Sequence, residues 1–525
     1  MAPEHFDVIV LGAGISGIGA AWHLKYGSQS SFVVLEKRES FGGTWDLFKY
    51  PGIRSDSDMY TFGYEHRPWE SDKPIAERSE ILSYLSKTIQ DGGLEQHIRF
   101  DENVLSASWD SAEALWTLTN QRGKTYTCSF LFGCLGYYEH DEPHRPHFEG
   151  SDIFQKAGGH IVHPQQWSEE LDVTNKRVAV IGSGATAVTI VPTLAKRGAS
   201  VTMVQRSPTY IVPMPNSDPI AKAALEEGLT PAEMHQRVRE SKAEEQENLR
   251  KSGENLTDEE RNKFFRRLMR KALPRKYMAD DEFNKHFTPR YNVFQQRLCV
   301  APDADFFVAL RQKQASVVTG EIDCFDERGI VMKDGTKVDC DIIVTATGFT
   351  LHRNMPMGRM QVVVDGNLYK APDHAMFKDC MLTDVPNFMF CKGYFYISWT
   401  MKVDLICKHL CRLLQYMQTN NIRTVTPREP AEGIGTPEEG SLTITSGFIL
   451  RSLSLFTRYG RAAPWTPMVD YTVDKRVLLE DPLEHDCLEM SLRSEATAAA
   501  ATTKTTTTNI GMGSPLTSQP LRSRL

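Results

Sequence analysis

No apolar run in this sequence approaches the ~18 residues that a bilayer-spanning helix needs. A positive balance is also missing: 60 Lys and Arg stand against 67 Asp and Glu, a formal net charge of -7, which argues against nucleic acid as the main partner. The ten cysteines form no C-x-x-C pair and no regular spacing, so a disulfide-exchange centre is not expected. Reduced thiols in an intracellular compartment are the simplest reading. Cys407 and Cys411, four apart in a helical pattern, read as core-facing thiols, and no metal site is expected. The chain enters its first strand by about residue 6, leaving no room for a signal peptide. What remains is ordinary globular composition, with 41% hydrophobic and 24% charged residues. At 525 residues, two or three domains are expected.

Two glycine-rich turns supply the organisation. Phe6-Asp-Val-Ile-Val-Leu-Gly-Ala-Gly-Ile-Ser-Gly17 is an apolar strand followed by Gly12, Gly14 and Gly17. Such glycines allow a tight strand-to-helix turn, close backbone approach to a pyrophosphate, and tight helix packing. A second buried strand then ends at Glu36, where a carboxylate suits a free ribose hydroxyl. The plan repeats in Arg177-Val-Ala-Val-Ile-Gly-Ser-Gly-Ala-Thr-Ala187, giving Gly182, Gly184 and Ala187. Its next strand ends in Arg206, followed by Ser207. An arginine there suits a 2′-phosphate, so the second copy reads as an NADPH site and the first as an FAD site. The fold class is therefore α/β, with two Rossmann-like dinucleotide-binding domains.

The remaining segments fit around these copies. Residues 74–92 look helical, and 104–120 and 123–136 alternate like strands. That strand pair is echoed by 329–335 and 341–348, each copy closing on an apolar strand that ends in glycine. Residues 215–290 are charged and helix-forming, with a capping box at Thr257-Asp-Glu-Glu260. Behind it Phe264, Phe265, Leu268, Met269 and Leu273 are expected on one face, with Lys263, Arg266, Arg267, Arg270 and Lys271 beside them. A packed helix is favoured over weak contact with a membrane surface. Trp399, Val403, Ile406, Leu410, Leu413 and Leu414 form a helical face expected in the core. The expected division is 1–148 and 349–490 for the FAD domain, 149–214 and 291–348 for the NADPH domain, 215–290 as a helical insertion, and 491–525 as a disordered Ala/Thr-rich tail.

Phe41-Gly-Gly-Thr-Trp45 (with Gly43, Thr44 and Trp45) and Tyr50-Pro-Gly-Ile-Arg-Ser-Asp56 are more specific than any glycine spacing. They resemble the FAD-binding half of the class B flavoprotein monooxygenases, the Baeyer–Villiger and flavin-containing enzymes. Gly159-x-x-x-His163-x-x-x-Trp167 resembles the Baeyer–Villiger fingerprint, with Ala157 where that family has Phe. Leu35-Glu-Lys-Arg-Glu-Ser40, Arg54-Ser-Asp-Ser-Asp-Met-Tyr60 and Gln205-Arg-Ser-Pro-Thr-Tyr-Ile211 are similar to the ethionamide-activating subgroup.

The resemblance implies that Arg297 lies over the flavin and is held by Asp56, with His163 and Trp167 also serving catalysis and Tyr60 near the cofactor. It implies NADPH- and O2-dependent conversion of a lipophilic ketone to an ester or lactone through a flavin C4a-peroxide, or in some members oxidation of a sulfur compound. A guanidinium keeps its charge and donates several hydrogen bonds, so it suits an anionic oxidant. Gln296 stands where many members carry Lys, leaving coenzyme choice to Arg206. The rival readings are an N- or S-oxygenating flavin-containing monooxygenase and an NADPH-dependent flavin reductase without oxygen transfer. The terminal Ser523-Arg-Leu525 resembles a peroxisomal address of the Ser-Lys-Leu type, read by an import receptor; the cytoplasm is the alternative location.

Overall fold

The computed structural model describes residues 3–253, 256–352, 355–395, 397–429, 433–435 and 445–492. Of the expected tail 491–525, Ser491 and Leu492 instead finish a strand, Leu488–Leu492, paired with Ile422–Pro427. The rest, with its Ala/Thr run and Ser523-Arg-Leu525, lies outside the described residues. Strand β1 (Glu4–Leu11) runs into the first glycine turn and α1 (Ile15–Gly27), then β2 (Phe32–Leu35) returns beside it. All four residues of β2 are buried, as a continuous apolar run predicts for a parallel strand covered on both faces. On β1, Val8 and Val10 face one core while Ile9 and Leu11 face another, the period-2 alternation of a strand.

β3 (Ile98–Arg99), β4 (Val104–Asp110), β5 (Leu115–Asn120) and β6 (Thr125–Gly133) extend this sheet. β1 pairs in parallel with both β2 and β6. The first half of β6 takes β5 as an antiparallel neighbour, and its second half takes the distant strand Phe388–Phe390 in parallel.

The second sheet is entirely parallel. It contains β7 (His160–Val162), β8 (Arg177–Ile181), then α2 (Ala185–Lys196) and β9 (Ser200–Gln205). A separate pair, β10 (Ile211–Met214) and β11 (Cys299–Pro302), brackets the charged segment. β12 (Ala315–Thr319) rejoins the second sheet. A three-stranded antiparallel group follows, β13 (Ile322–Asp326), β14 (Gly329–Met332) and β15 (Lys337–Asp339), before β16 (Ile342–Thr345) returns to the parallel sheet. The strand order is β12-β9-β8-β16-β7. Finally β17 (Gln361–Val364) crosses back to pair with β4 in the first sheet.

Between β10 and β11 the described residues form four helices: Pro219–Glu226, Pro231–Gly253, α3 (Asp258–Ala272) and Asp280–Phe287. The Thr257–Glu260 capping box starts α3. Met269 and Leu273 are buried in the second core and Phe265 packs against it. Phe264 departs from the expected face, with 56% of its surface exposed. It sits one position off the stripe through Phe265 and Met269, which turns it about 100° around the helix. No described helix is long and apolar enough to cross a membrane.

The long helix α4 (Trp399–Thr419) buries Val403, Ile406, Leu410 and Leu413, and both Cys407 and Cys411. Beside it, Asp474 is 2% exposed and accepts a 2.7 Å hydrogen bond from the Tyr394 hydroxyl. Burial pushes this carboxyl up to about 6. The folded state therefore holds a proton the unfolded chain has released, and that stabilisation is lost as pH rises through about 6. Asp474→Asn should gain about 2 kcal/mol relative to the wild type between about pH 4.5 and 7.5, read from urea midpoints at the two pH values.

Candidate active site

Both glycine turns open on one cavity of about 1180 Å³. It lies at the carboxyl ends of the parallel strands, where open α/β sheets bind ligands. Gly12 has φ +98°, and a Cβ there would stand 2.7 Å from the Cys134 carbonyl oxygen. Gly14 and Gly43 approach each other backbone to backbone at the first turn, and Thr44 and Trp45 continue the wall. Glu36 is 4% exposed; its carboxylate accepts from the Ala13 amide at 2.7 Å and the Arg38 amide at 2.9 Å while lining the cavity. Burial raises its pKa, against those two hydrogen bonds.

The second turn repeats the first. Gly182 has φ +126°, and a Cβ there would meet the Ala346 oxygen at 2.2 Å. A Cβ on Gly184 would meet nothing within 4 Å, so the wall there is open to a ligand. The Ser183 hydroxyl donates to the Ser207 carbonyl at 2.9 Å. Arg206 and Ser207 line the cavity, with Arg206 exposed at its edge.

Between the two turns stands Arg297. Its Nε and Nη2 donate to Asp56 Oδ2 and Oδ1 at 2.5 and 2.8 Å. Nη2 also reaches Ser57 Oγ at 3.0 Å, and Nη1 the Phe395 carbonyl at 3.0 Å. Enclosure alone would lower the guanidinium pKa, but the Asp56 carboxylate outweighs it and holds Arg297 above its ordinary value. The side chain is still 43% accessible where it lines the cavity. A forked pair of this kind fixes the plane of the guanidinium as well as its position.

A second pair crosses in the opposite sense. Arg54 Nη1 and Nη2 donate to Asp305 at 2.6 and 3.3 Å, with the side chains 12% and 9% exposed. Arg54→Met should cost about 3–5 kcal/mol, because it strands a buried carboxylate. Adding Asp305→Asn should restore part of that loss, as read from denaturant midpoints of the single and double variants.

Aromatic rings close the rest of the wall. Tyr137 lies 5.2 Å from Trp399, Tyr138 5.0 Å from Phe349, and Phe48 4.8 Å from Phe349. Burial raises both tyrosine hydroxyls, so they stay neutral. Cys299 also lines the cavity, its thiol pushed up to about 12 by burial.

Several expected residues lie elsewhere. Gly17 does not line the cavity: a Cβ there would stand 1.8 Å from the Gly12 oxygen, so its role is close helix packing. Ala187 is likewise buried in the second core. Tyr60 is fully buried and donates to the Ser71 carbonyl at 2.8 Å; Asp58 caps the short helix that turns it inward. Trp167 packs in the second core. His163 is 5% exposed and lies behind Phe349, ring centroids 6.4 Å apart, with Nδ1 accepting from the Gln165 amide. Burial lowers its pKa to about 4, so its imidazole is neutral. Trp399 departs the other way: expected in the core, it reaches the cavity wall, with Nε1 donating to Ser16 Oγ at 3.1 Å. Tyr137, Tyr138, Phe349, Phe395 and Ser57 also line the cavity, and no sequence motif singles them out. Tyr137–Tyr138 directly follow Gly136 and Phe349 directly follows Gly348, in the loops just past the carboxyl ends of β6 and β16, the chain positions where such folds place ligands.

Over 495 residues, the chain is 42% identical to the FAD-containing monooxygenase EthA of Mycobacterium tuberculosis (strain ATCC 25618 / H37Rv), spanning 93% of this chain and 98% of that protein. This chain belongs to the EthA-like FAD-containing monooxygenases. The EthA of Mycolicibacterium smegmatis is 38% identical to this EthA-like chain over 507 residues, 95% of it and 99% of that protein. A family model described as pyridine nucleotide-disulphide oxidoreductase matches residues 9–265. Oxidized steroid monooxygenase bound to NADP shares the fold at a TM-score of 0.73 and 22% identity, covering 93% of this chain and all (100%) of that one. The closed crystal structure of cyclohexanone monooxygenase aligns at 0.70 and 19% identity, over 94% and 100%. The EthA-like chain thus carries the two Rossmann-like cores of those enzymes, with Arg297 between its two glycine turns.

Proposed function

We propose that this chain is an NADPH- and O2-dependent FAD enzyme that performs Baeyer–Villiger oxidation, converting a lipophilic ketone to an ester or lactone. The observation that carries this reading is the fixed Arg297 guanidinium, gripped by Asp56, Ser57 and the Phe395 carbonyl and facing an aromatic-walled cavity. Gly12, Gly14, Gly43, Thr44 and Glu36 fit FAD: the backbone approaches closely where a side chain would clash, and a buried carboxylate faces the space. Gly182, where a side chain would clash, Gly184, where the wall is open, and Ser207 and the exposed Arg206 cation on the cavity rim fit NADPH. The relatives named as FAD-containing monooxygenases support the first assignment, and the fold neighbour steroid monooxygenase, solved bound to NADP, supports the second.

When bound, FAD reduced by NADPH supplies the activation of dioxygen. The protein supplies position and field. Arg297 holds a permanent positive charge where negative charge on oxygen must be stabilised, in a site of low dielectric. Asp56 keeps the guanidinium plane fixed by accepting from both Nε and Nη2. Tyr137, Tyr138 and Phe349 exclude water, and Trp399 and Phe395 offer apolar surface to a carbon skeleton.

Aerobic turnover with NADPH and a ketone panel, read by mass spectrometry, tests the reading. Esters or lactones one oxygen heavier are expected. Sulfoxides or N-oxides alone, from matched thioethers and amines, would make the chain a heteroatom oxygenase. NADPH oxidation with no oxygenated product from any panel would make it a reductase.

A further inference from the structure

Away from the cavity, one polar cluster joins three distant segments. His23 stands on α1, His66 follows the short helix Met59–Phe62, and Asp404 lies on α4. His23 Nε2 meets Asp404 Oδ1 at 2.7 Å. The His66 ring is stacked between Trp22 and Tyr64, at 4.1 and 5.0 Å, and stands edge-on to His23 at 5.7 Å. Both His66 ring nitrogens are buried without a hydrogen-bond partner, an arrangement that native structures rarely leave unexplained. One donor atom from each of the three residues lies within 4.8 Å of the others.

We propose that His23, His66 and Asp404 bind a divalent transition-metal ion of the zinc class. Two imidazoles and one carboxylate suit zinc or cobalt, whereas magnesium and calcium favour all-oxygen donors. Three protein donors leave a fourth tetrahedral position for water. Ligand atoms held at about 2.0–2.2 Å from one ion lie roughly 3.0–3.6 Å apart. The 2.7 Å His23–Asp404 contact has to open by roughly a few tenths of an ångström, and the His66 donor, within 4.8 Å of the other two, has to move inward by at most about 1–2 Å.

Lys408 sets the strength of the site. Its Nζ contacts Asp404 Oδ2 at 2.8 Å and Glu65 Oε2 at 2.5 Å, leaving Oδ1 to the ion. The ammonium charge opposes a second cation, so the wild-type affinity is held down. Binding would clamp α1, which starts at the first glycine turn, to α4, which starts at Trp399 on the cavity wall.

The test uses the FAD-loaded enzyme, treated with chelator and titrated with Zn2+ by calorimetry and with Co2+ by visible absorption. One ion per chain is expected, with a rise in Tm. His66→Phe keeps the aromatic stack but removes a ligand, and should weaken binding by at least about 100-fold. Lys408→Gln should tighten it about 10-fold. Absence of binding, wild-type affinity in His66→Phe, or unchanged affinity in Lys408→Gln would each overturn the site.

Discussion

Arg297→Ala should reduce ester formation by about 100- to 1,000-fold while NADPH oxidation continues, its electrons released as hydrogen peroxide. Removing a preorganised charge donor costs about 2.7–4 kcal/mol at the step where negative charge on oxygen needs it. The variant should keep FAD, because Gly12, Gly14 and Glu36 are untouched. Hydride transfer should slow only modestly. Arg297→Lys should recover part of the activity: a point charge returns, but the fork that meets Asp56, Ser57 and the Phe395 carbonyl does not. Product and peroxide measured in the same reaction separate oxygen transfer from flavin reduction. Wild-type oxygenation in Arg297→Ala would leave the Arg297–Asp56 pair as a strut between the two sheets and nothing more.

The second large effect concerns the coenzyme. Arg206→Ala should lower the NADPH/NADH ratio of kcat/KM by about 10- to 150-fold, equivalent to roughly 1.5–3 kcal/mol for one charge-assisted contact. Arg206 stands at the cavity edge past the end of β9, and Gln296 brings no cation beside Arg297. Steady-state kinetics with both coenzymes decide the matter. An unchanged ratio would show that the 2′-phosphate is read by another group.

Some of this site is written locally in the chain and some is not. The two glycine turns are legible because their requirement is one of backbone: positive φ at Gly12 and Gly182, and carbonyl oxygens too close for any side chain. Glu36 is legible because a buried strand ending in a carboxylate has few other uses. Asp56 and Arg297 lie 241 residues apart, and no local pattern joins them. Only resemblance to a family pairs them in advance.

Tyr60 and Trp167 show the converse. Their spacing is right, yet spacing does not say which way a ring turns, and both turn into a core. Helical periodicity likewise marks the apolar face of α4 but not the end that overhangs the cavity, so Trp399 reads as packing. Phe264 is the same lesson on the surface, one position around α3 from the buried stripe.

Turnover of an accepted ketone under isotopically labelled dioxygen tests the central claim most directly. Baeyer–Villiger oxidation by this chain places one labelled oxygen in each ester or lactone, between the former carbonyl carbon and the migrated carbon, with one NADPH consumed per product. An unlabelled ester, or labelled oxygen found only in hydrogen peroxide and water, would contradict it.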